Sequence, residues 1–112
     1  MPVSCTLLVN LWNAGGPQPR LLAEVSAQDV EFASVPASGD RIRAGSLGVV
    51  MESFHGLAVV DRVEHAPRLP FDLAPQRART VVVVNIALTR DVTGAEFDRL
   101  VDVGWTVIAQ PL

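Results

Sequence analysis

The feature that most constrains the fold is a run of β-branched residues in the second half of the chain. Residues 81–84 are four consecutive valines, and the apolar run continues to Leu88 with only Asn85 as a strongly polar interruption. β-Branched side chains favour strands, and a strand that lacks polar alternation is covered on both faces. Residues 81–88 therefore predict a central strand of a sheet rather than an edge strand.

The N-terminal region predicts a long hairpin. Residues 3–12 alternate with period two, which is typical of a half-buried strand. Cys5 lies on the apolar side of this pattern, so we interpret it as a small core residue rather than a nucleophile. Two glycines and two prolines in residues 13–19 predict a loop, and residues 20–25 predict the second strand.

The middle of the chain predicts a turn followed by short strands. Residues 36–40 (Pro-Ala-Ser-Gly-Asp) combine the fixed φ of proline, a glycine and a side chain that bonds backbone donors, which predicts a turn. Strands are expected at residues 41–43, 47–51 and 57–64, with a hairpin turn at 53–56. Asp61 falls on the apolar face of the third of these, so either a bulge shifts the pattern or an arginine pairs with Asp61. Residues 66–79 predict a long irregular connection.

One helix is predicted, at about residues 93–103. Thr93 is a suitable N-cap, and Glu96 three positions later completes a capping box. Gly104 suits the position after the helix, where a positive φ is needed. A short last strand should begin at Trp105. The apolar face of the helix is expected to contain Phe97, Leu100 and Val101.

Composition limits the class of protein. A chain of 112 residues suits one domain, residues 1–112, and its 49% hydrophobic content indicates a well-filled core or an apolar surface covered by a second copy. The net charge of −3 argues against general nucleic-acid binding, which needs a basic face. Cys5 is the only cysteine, which excludes an intrachain disulfide and a zinc site built on several cysteines.

The sequence also carries an expectation about location. The N-terminus has no basic segment followed by a long apolar one, so we expect no signal peptide. The apolar runs are too short for a membrane-spanning helix. We therefore expect a cytoplasmic protein without membrane contacts.

Two short motifs carry a resemblance. The segment Val-Pro-Ala-Ser-Gly-Asp-Arg-Ile at residues 35–42 is followed by Val-Val-Asp-Arg-Val-Glu-His at residues 59–65. This order resembles a group of small uncharacterised bacterial proteins with an SH3-like β-barrel, over residues 3–88. The resemblance implies a mainly β fold, a small antiparallel barrel or bent sheet with one C-terminal helix. It implies no catalytic residue.

No catalytic constellation emerges from the sequence. His55 and His65 are the two side chains whose ordinary pKa suits general base catalysis. We interpret His55 as a turn residue and His65 as a strand-end residue, because no nucleophile, metal or phosphate-binding motif accompanies them. The expectation is a protein that is not an enzyme and that has no cofactor and no metal.

The sequence is therefore most consistent with a non-catalytic protein-interaction or accessory module whose partner is another protein or a second copy. Few aromatic residues are available for a proline-peptide groove. Trp12 is expected at the rim of the first strand, either packed against the second strand or exposed as a contact anchor. The alternative is a small nucleic-acid-binding barrel with a strip formed by Arg41, Arg43, Arg62, Arg68, Arg77 and Arg79. The candidate binding residues are Trp12, Phe54, His55, Arg62 and His65.

Overall fold

The described residues form a mainly β fold with one short helix. The computed structural model describes residues 2–43, 57–66 and 78–109. Along the chain, the elements are β1 (Val3–Asn13), β2 (Arg20–Phe32), β3 (Arg41–Ile42), β4 (Leu57–Ala66), β5 (Arg79–Leu88), α1 (Gly94–Asp102) and β6 (Thr106–Ala109). The strand expected at residues 47–51, the turn at 53–56 and most of the 66–79 connection lie outside the described residues.

The described strands form one open sheet in the order β3-β4-β5-β1-β2-β6. The sheet is not closed into a barrel. All neighbours pair antiparallel except β1 and β5, which run parallel. The expectation of an antiparallel sheet throughout is wrong at this pair. A parallel pair needs a long crossover connection, and residues 14–78 supply it.

The β1–β2 hairpin is confirmed, and its second strand is longer than expected. The pairing extends from Asn13 opposite Arg20 to Val3 opposite Phe32. A register shift between Cys5 and Leu7 coincides with Asp29, whose φ of 54° lies in the left-handed region. This bulge adds residues to β2 and keeps apolar side chains on the core face on both sides of it.

Strand β5 is central, as its valines predict. It lies between β4 and β1, and Val82, Val83 and Val84 are each 0% exposed. Burial of three consecutive side chains means that both faces of β5 are covered there. The core face carries alternate residues of the long strands, and Leu100 and Trp105 join their cluster.

Strand β4 contains the bulge that Asp61 indicates. Its register with β5 shifts between Val60 and Arg62, and Asp61 points into solvent. Ala58 and Val60 are buried before the bulge, and Val63 packs on the same core after it. Asp61 also pairs with Arg62, with 2.7 Å between Oδ2 and Nη1. Both explanations of the carboxylate therefore hold, and the bulge moves it off the apolar face.

The predicted turn before β3 is confirmed. Ala37 N–H donates to the Asp40 carboxylate at 2.8 Å, and Asp40 N–H donates to the Ala37 carbonyl at 3.0 Å. Gly39 has a φ of 89°, which a glycine adopts without strain. Val60 N–H and Gly39 N–H then join the turn to β4.

Helix α1 begins and ends as predicted, but its apolar face differs. Thr93 and Glu96 form the reciprocal capping box, and Gly104 has a φ of 106° after the last turn. Leu100 is 0% exposed and Phe97 packs partly on the core, whereas Val101 is 55% exposed. The prediction of Val101 as an inward residue is wrong, because the contact of so short a helix with the sheet is narrower than the apolar stripe. No helix in the described ranges is long and apolar enough to cross a membrane.

Candidate binding sites

The sheet face opposite the core carries a polar row across its middle. Cross-strand registers place Arg41 beside Val59, Val59 beside Asn85, Asn85 beside Asn10, and Asn10 beside Glu24. Neighbouring strands are about 4.8 Å apart, so side chains in such a row contact their immediate neighbours. This row is the main polar feature of the face, and we call the face the outer face.

Two asparagines and a tryptophan form a hydrogen-bond network in this row. Trp12 Nε1 donates to Asn85 Oδ1 at 3.1 Å, and Asn10 Nδ2 donates to the same oxygen at 3.3 Å. Asn10 Oδ1 is buried and has no hydrogen-bond partner among the described groups. A buried acceptor without a partner costs about 1–3 kcal/mol, so the network is not arranged for maximal stability.

A cavity of about 540 Å³ adjoins this network. Its described lining is apolar except for one amide, and no described lining side chain is charged. The walls come from β1, the β1–β2 loop, β4 and β5. The lining residues are Trp12, Ala14, Pro19, Val59, Asn85 and Ala87.

The loop that forms one wall is held to the end of β5. Ala14 N–H donates to the Leu88 carbonyl at 2.8 Å. Gly15 N–H donates to Asn13 Oδ1 at 2.9 Å. A Cβ at Gly15 would lie 2.8 Å from the Thr89 carbonyl oxygen, so the backbone approach there requires glycine. The wall is therefore built before any ligand arrives.

Asp91 ties both ends of the same loop to the segment after β5. Its carboxylate accepts hydrogen bonds from Asn13 Nδ2 and from the Arg20 guanidinium. The bonds from Asn13 and Arg20 lower the pKa of Asp91 below its ordinary value. Asp91 therefore stays ionised in mildly acidic solution and keeps the loop attached.

Trp12 lies near the end of β1, where the strand meets this loop, and this is the rim position expected from the sequence. It is half-buried, its N–H is bonded to Asn85, and its ring lines the cavity. The ring face is thus the part of Trp12 that a ligand can contact.

Arg62 and His65 lie farther along β4. Arg62 bonds Asp61 at 2.7 Å and Glu64 at 2.6 Å, and these hydrogen bonds raise its pKa, the bond to Glu64 most. His65 is exposed, and its Nδ1 lies 3.3 Å from Thr80 Oγ1.

The structure does not bring the candidate binding residues into one site. His65 pairs in register with Thr80, whereas Trp12 bonds Asn85, about 16 Å farther along β5 at the usual strand rise. Phe54 and His55 lie outside the described residues.

Only four of the six arginines of the expected basic strip lie within the described residues. Three of these arginines are exposed: Arg41 on β3, Arg43 just after β3, and Arg79 on β5. Arg62 forms ion pairs with Asp61 and Glu64. Arg68 and Arg77 lie outside the described residues. The pairing of Arg62 counts against a basic face at this position, and nucleic-acid binding stays a hypothesis.

Cys5 lies in the core, as predicted. It is 3% exposed, and burial raises the pKa of its thiol above the ordinary value. A thiol in this environment is a poor nucleophile at neutral pH. Within the described ranges, no group of three or more His, Cys, Asp or Glu side chains is arranged to hold a metal ion.

The β6 edge carries a second candidate surface. Among the described strands, β6 pairs with β2 alone, so its other side is an edge of the sheet. The strand Thr-Val-Ile-Ala contains no charged residue. Three large exposed apolar side chains lie on β6 or just before it in the chain: Val101 is 55%, Val103 60% and Ile108 55% exposed. We call β6 with these three side chains the edge patch.

The sequence analysis did not single out Asn10 and Asn85, which form the hydrogen-bond network beside the cavity. The signal for them in the sequence is that each interrupts an apolar stretch, residues 7–12 and residues 81–88. Comparison with known proteins adds no assignment, because no protein-family model, curated protein or solved structure matches the chain.

Proposed function

We propose that the protein is a non-catalytic interaction module that binds a second copy of itself through the edge patch. The observation that carries the proposal is that an uncharged edge strand and three exposed apolar side chains fall within residues 101–109. Edge strands of soluble proteins are usually protected from pairing by charges, proline or bulges. β6 has no charge and no proline over its four residues, and it has one irregularity, a register shift against β2 that leaves Ile108 without a paired residue.

A second copy is the partner that the chemistry of β6 suits. In a two-fold antiparallel pair, each residue of the edge strand lies near a residue of the same strand in the other copy. A charged edge would place like charges opposite each other, which destabilises a pair of strands. An uncharged strand avoids this repulsion, and Ile108 would be covered on both copies.

Sedimentation velocity over a protein concentration series tests the proposal. The wild-type protein is expected to dimerise, and Ile108→Lys is expected to raise the dimer dissociation constant by about tenfold or more. Val35→Lys is the matched control, because Val35 is 42% exposed and lies outside the edge patch. Circular dichroism should show unchanged folding, since neither side chain is buried.

A charge-swap experiment makes the test specific to self-pairing. Ile108→Lys and Ile108→Glu should each be impaired alone, and their mixture should dimerise better than either. A wild-type protein that stays monomeric at every concentration refutes the proposal. An Ile108→Lys protein that dimerises as well as Val35→Lys also refutes it, because the dimer would then form elsewhere.

A further inference from the structure

The cavity beside Trp12 has the size and lining of a small-molecule site. Its volume of about 540 Å³ falls within the range of about 300–1,000 Å³ that is usual for ligand pockets. Such pockets combine an apolar lining with a few polar groups that fix orientation. Asn85 is the polar residue of the described lining, so a ligand must be largely apolar.

The walls favour a flat ligand. The Trp12 N–H is bonded to Asn85, which leaves the indole face as the contact surface. Aromatic rings stack favourably in offset arrangements. The lining also includes Pro19, whose loop is held by the bonds of Ala14 and Asp91. Little ordering is therefore needed on binding, which favours affinity.

The network determines which polar group the ligand must carry. An amide oxygen accepts two hydrogen bonds, and those of Asn85 Oδ1 come from Trp12 and Asn10. The remaining hydrogen-bonding group of the Asn85 side chain is Nδ2, which is a donor. A ligand must therefore present an acceptor to Asn85.

A positive charge one strand beyond the lining indicates the kind of acceptor. Arg41 is the cross-strand neighbour of Val59, which lines the cavity and also neighbours Asn85. Cross-strand neighbours project from the same face of a sheet, so Arg41 and Asn85 flank Val59. None of the ion pairs among the described residues involves Arg41. A guanidinium and an amide donor on either side of Val59 match a carboxylate placed between them.

We propose that this cavity binds a small aromatic carboxylate. The ring system lies against Trp12 and Ala87, and the carboxylate lies above Val59 between Arg41 and Asn85. The proposal is independent of the edge patch, because the cavity is on the outer face near β4 and β5. Its failure would leave the self-association proposal untouched.

The test uses the indole N–H signals of the full chain. The sequence has two tryptophans, so a ¹⁵N–¹H spectrum shows two indole peaks, and Trp12→Phe assigns them. The probe is 2-naphthoate, with 2-naphthamide as its uncharged counterpart. Titration with 2-naphthoate is expected to shift the Trp12 peak saturably and to leave the Trp105 peak in place.

Three variants separate the recognition groups. Arg41→Gln should weaken 2-naphthoate binding by about tenfold and change 2-naphthamide binding little. Arg79→Gln makes the same charge change at the far end of β5 and should have no effect. Asn85→Asp keeps an acceptor for the Trp12 N–H but replaces the donor by an anion, so 2-naphthoate binding should be lost.

Three outcomes overturn the proposal, and the first two concern the wild-type spectrum and the arginine variants. One is a Trp12 peak that does not move with 2-naphthoate in the wild-type protein. The other is equal loss of affinity in Arg41→Gln and Arg79→Gln, which would mean that only the net charge matters. If 2-naphthamide binds as tightly as 2-naphthoate, the cavity does not select a carboxylate and the proposal is wrong.

Discussion

Replacement of Leu100 by alanine measures how much the packing of α1 on the sheet contributes to the free energy of unfolding. Leu100 is the fully buried residue of the helix and belongs to the core cluster with Leu7 and Trp105. Leucine-to-alanine changes at such positions cost about 2.7–5 kcal/mol, according to the cavity that remains. The Trp105 N–H to Leu100 carbonyl bond is a backbone contact and survives the change. We therefore expect a loss of about 3 kcal/mol.

The matched control is the next residue. Val101 is 55% exposed, so Val101→Ala removes little buried surface. Alanine has a higher helix propensity than valine by up to about 0.7 kcal/mol, so this variant should be neutral or slightly more stable. Urea unfolding at equal protein concentration measures both free energies of unfolding. A Leu100→Ala loss below about 1 kcal/mol, or equal losses in the two variants, would refute the packing described above.

Three further predictions concern ionisation, the loop and the thiol. Hydrogen bonds from Arg90 lower the pKa of Glu96 from 4.5 to about 2, so its stabilising contribution is complete above about pH 4.5 and disappears as the pH falls towards 2. Glu96→Gln should therefore lower the free energy of unfolding by about 1 kcal/mol at pH 7, and urea titrations should show the gap close in acid. Gly15→Ala should destabilise the protein by about 1–3 kcal/mol and shift the Trp12 indole peak, because its Cβ meets a carbonyl oxygen 2.8 Å away. Cys5 should react with a thiol reagent only as fast as the chain unfolds, so fast labelling in native buffer would contradict its burial.

Local features of the fold could be predicted from the sequence because local chemistry determines them. The period-two pattern of β1, the turn at residues 36–40 and the capping box of Thr93 and Glu96 each depend on neighbours in the chain. The parallel pairing of β1 with β5 could not be predicted in this way. It joins segments separated by residues 14–78, and an apolar strand is compatible with either direction of its neighbour.

At the candidate sites too, local features could be predicted from the sequence and contacts between distant strands could not. Trp12 could be named from its position between a strand and a loop, and its ring does line a cavity. Its partner Asn85 lies 73 positions away, and only the β1–β5 register brings the two together. The sequence groups Arg41 with a basic strip, whereas the register of β3 places it beside Val59, which lines the cavity. Sequence patterns indicate faces of strands, but not which faces adjoin.

The bulge in β4 is the intermediate case. A carboxylate on an apolar face is costly, so Asp61 itself indicated that the alternation must be interrupted or that a cation must be near. The structure has both, because the register shift exposes Asp61 and Arg62 follows it. Energetic reasoning about one residue was sufficient here, since the conflict and its resolution lie within the same strand.

Asn10 offers a test of whether the polar network serves stability or recognition. Asn10→Leu removes a buried oxygen that has no partner, together with one hydrogen bond to Asn85, while the Trp12 bond to Asn85 remains. The gain of about 1–3 kcal/mol and the loss of about 1 kcal/mol oppose each other, so the variant should be at least as stable as the wild type.

Asn13→Leu is the matched control, because Asn13 both donates to Asp91 and accepts from Gly15, and its loss should cost about 1 kcal/mol or more. Urea unfolding of both variants decides the matter. If Asn10→Leu is destabilised as much as Asn13→Leu, the network is structural. If Asn10→Leu is not destabilised in this way, the role of Asn10 is to orient Asn85. The bond from Asn10 is the second one to Asn85 Oδ1, and it leaves Asn85 Nδ2 as a donor for a ligand.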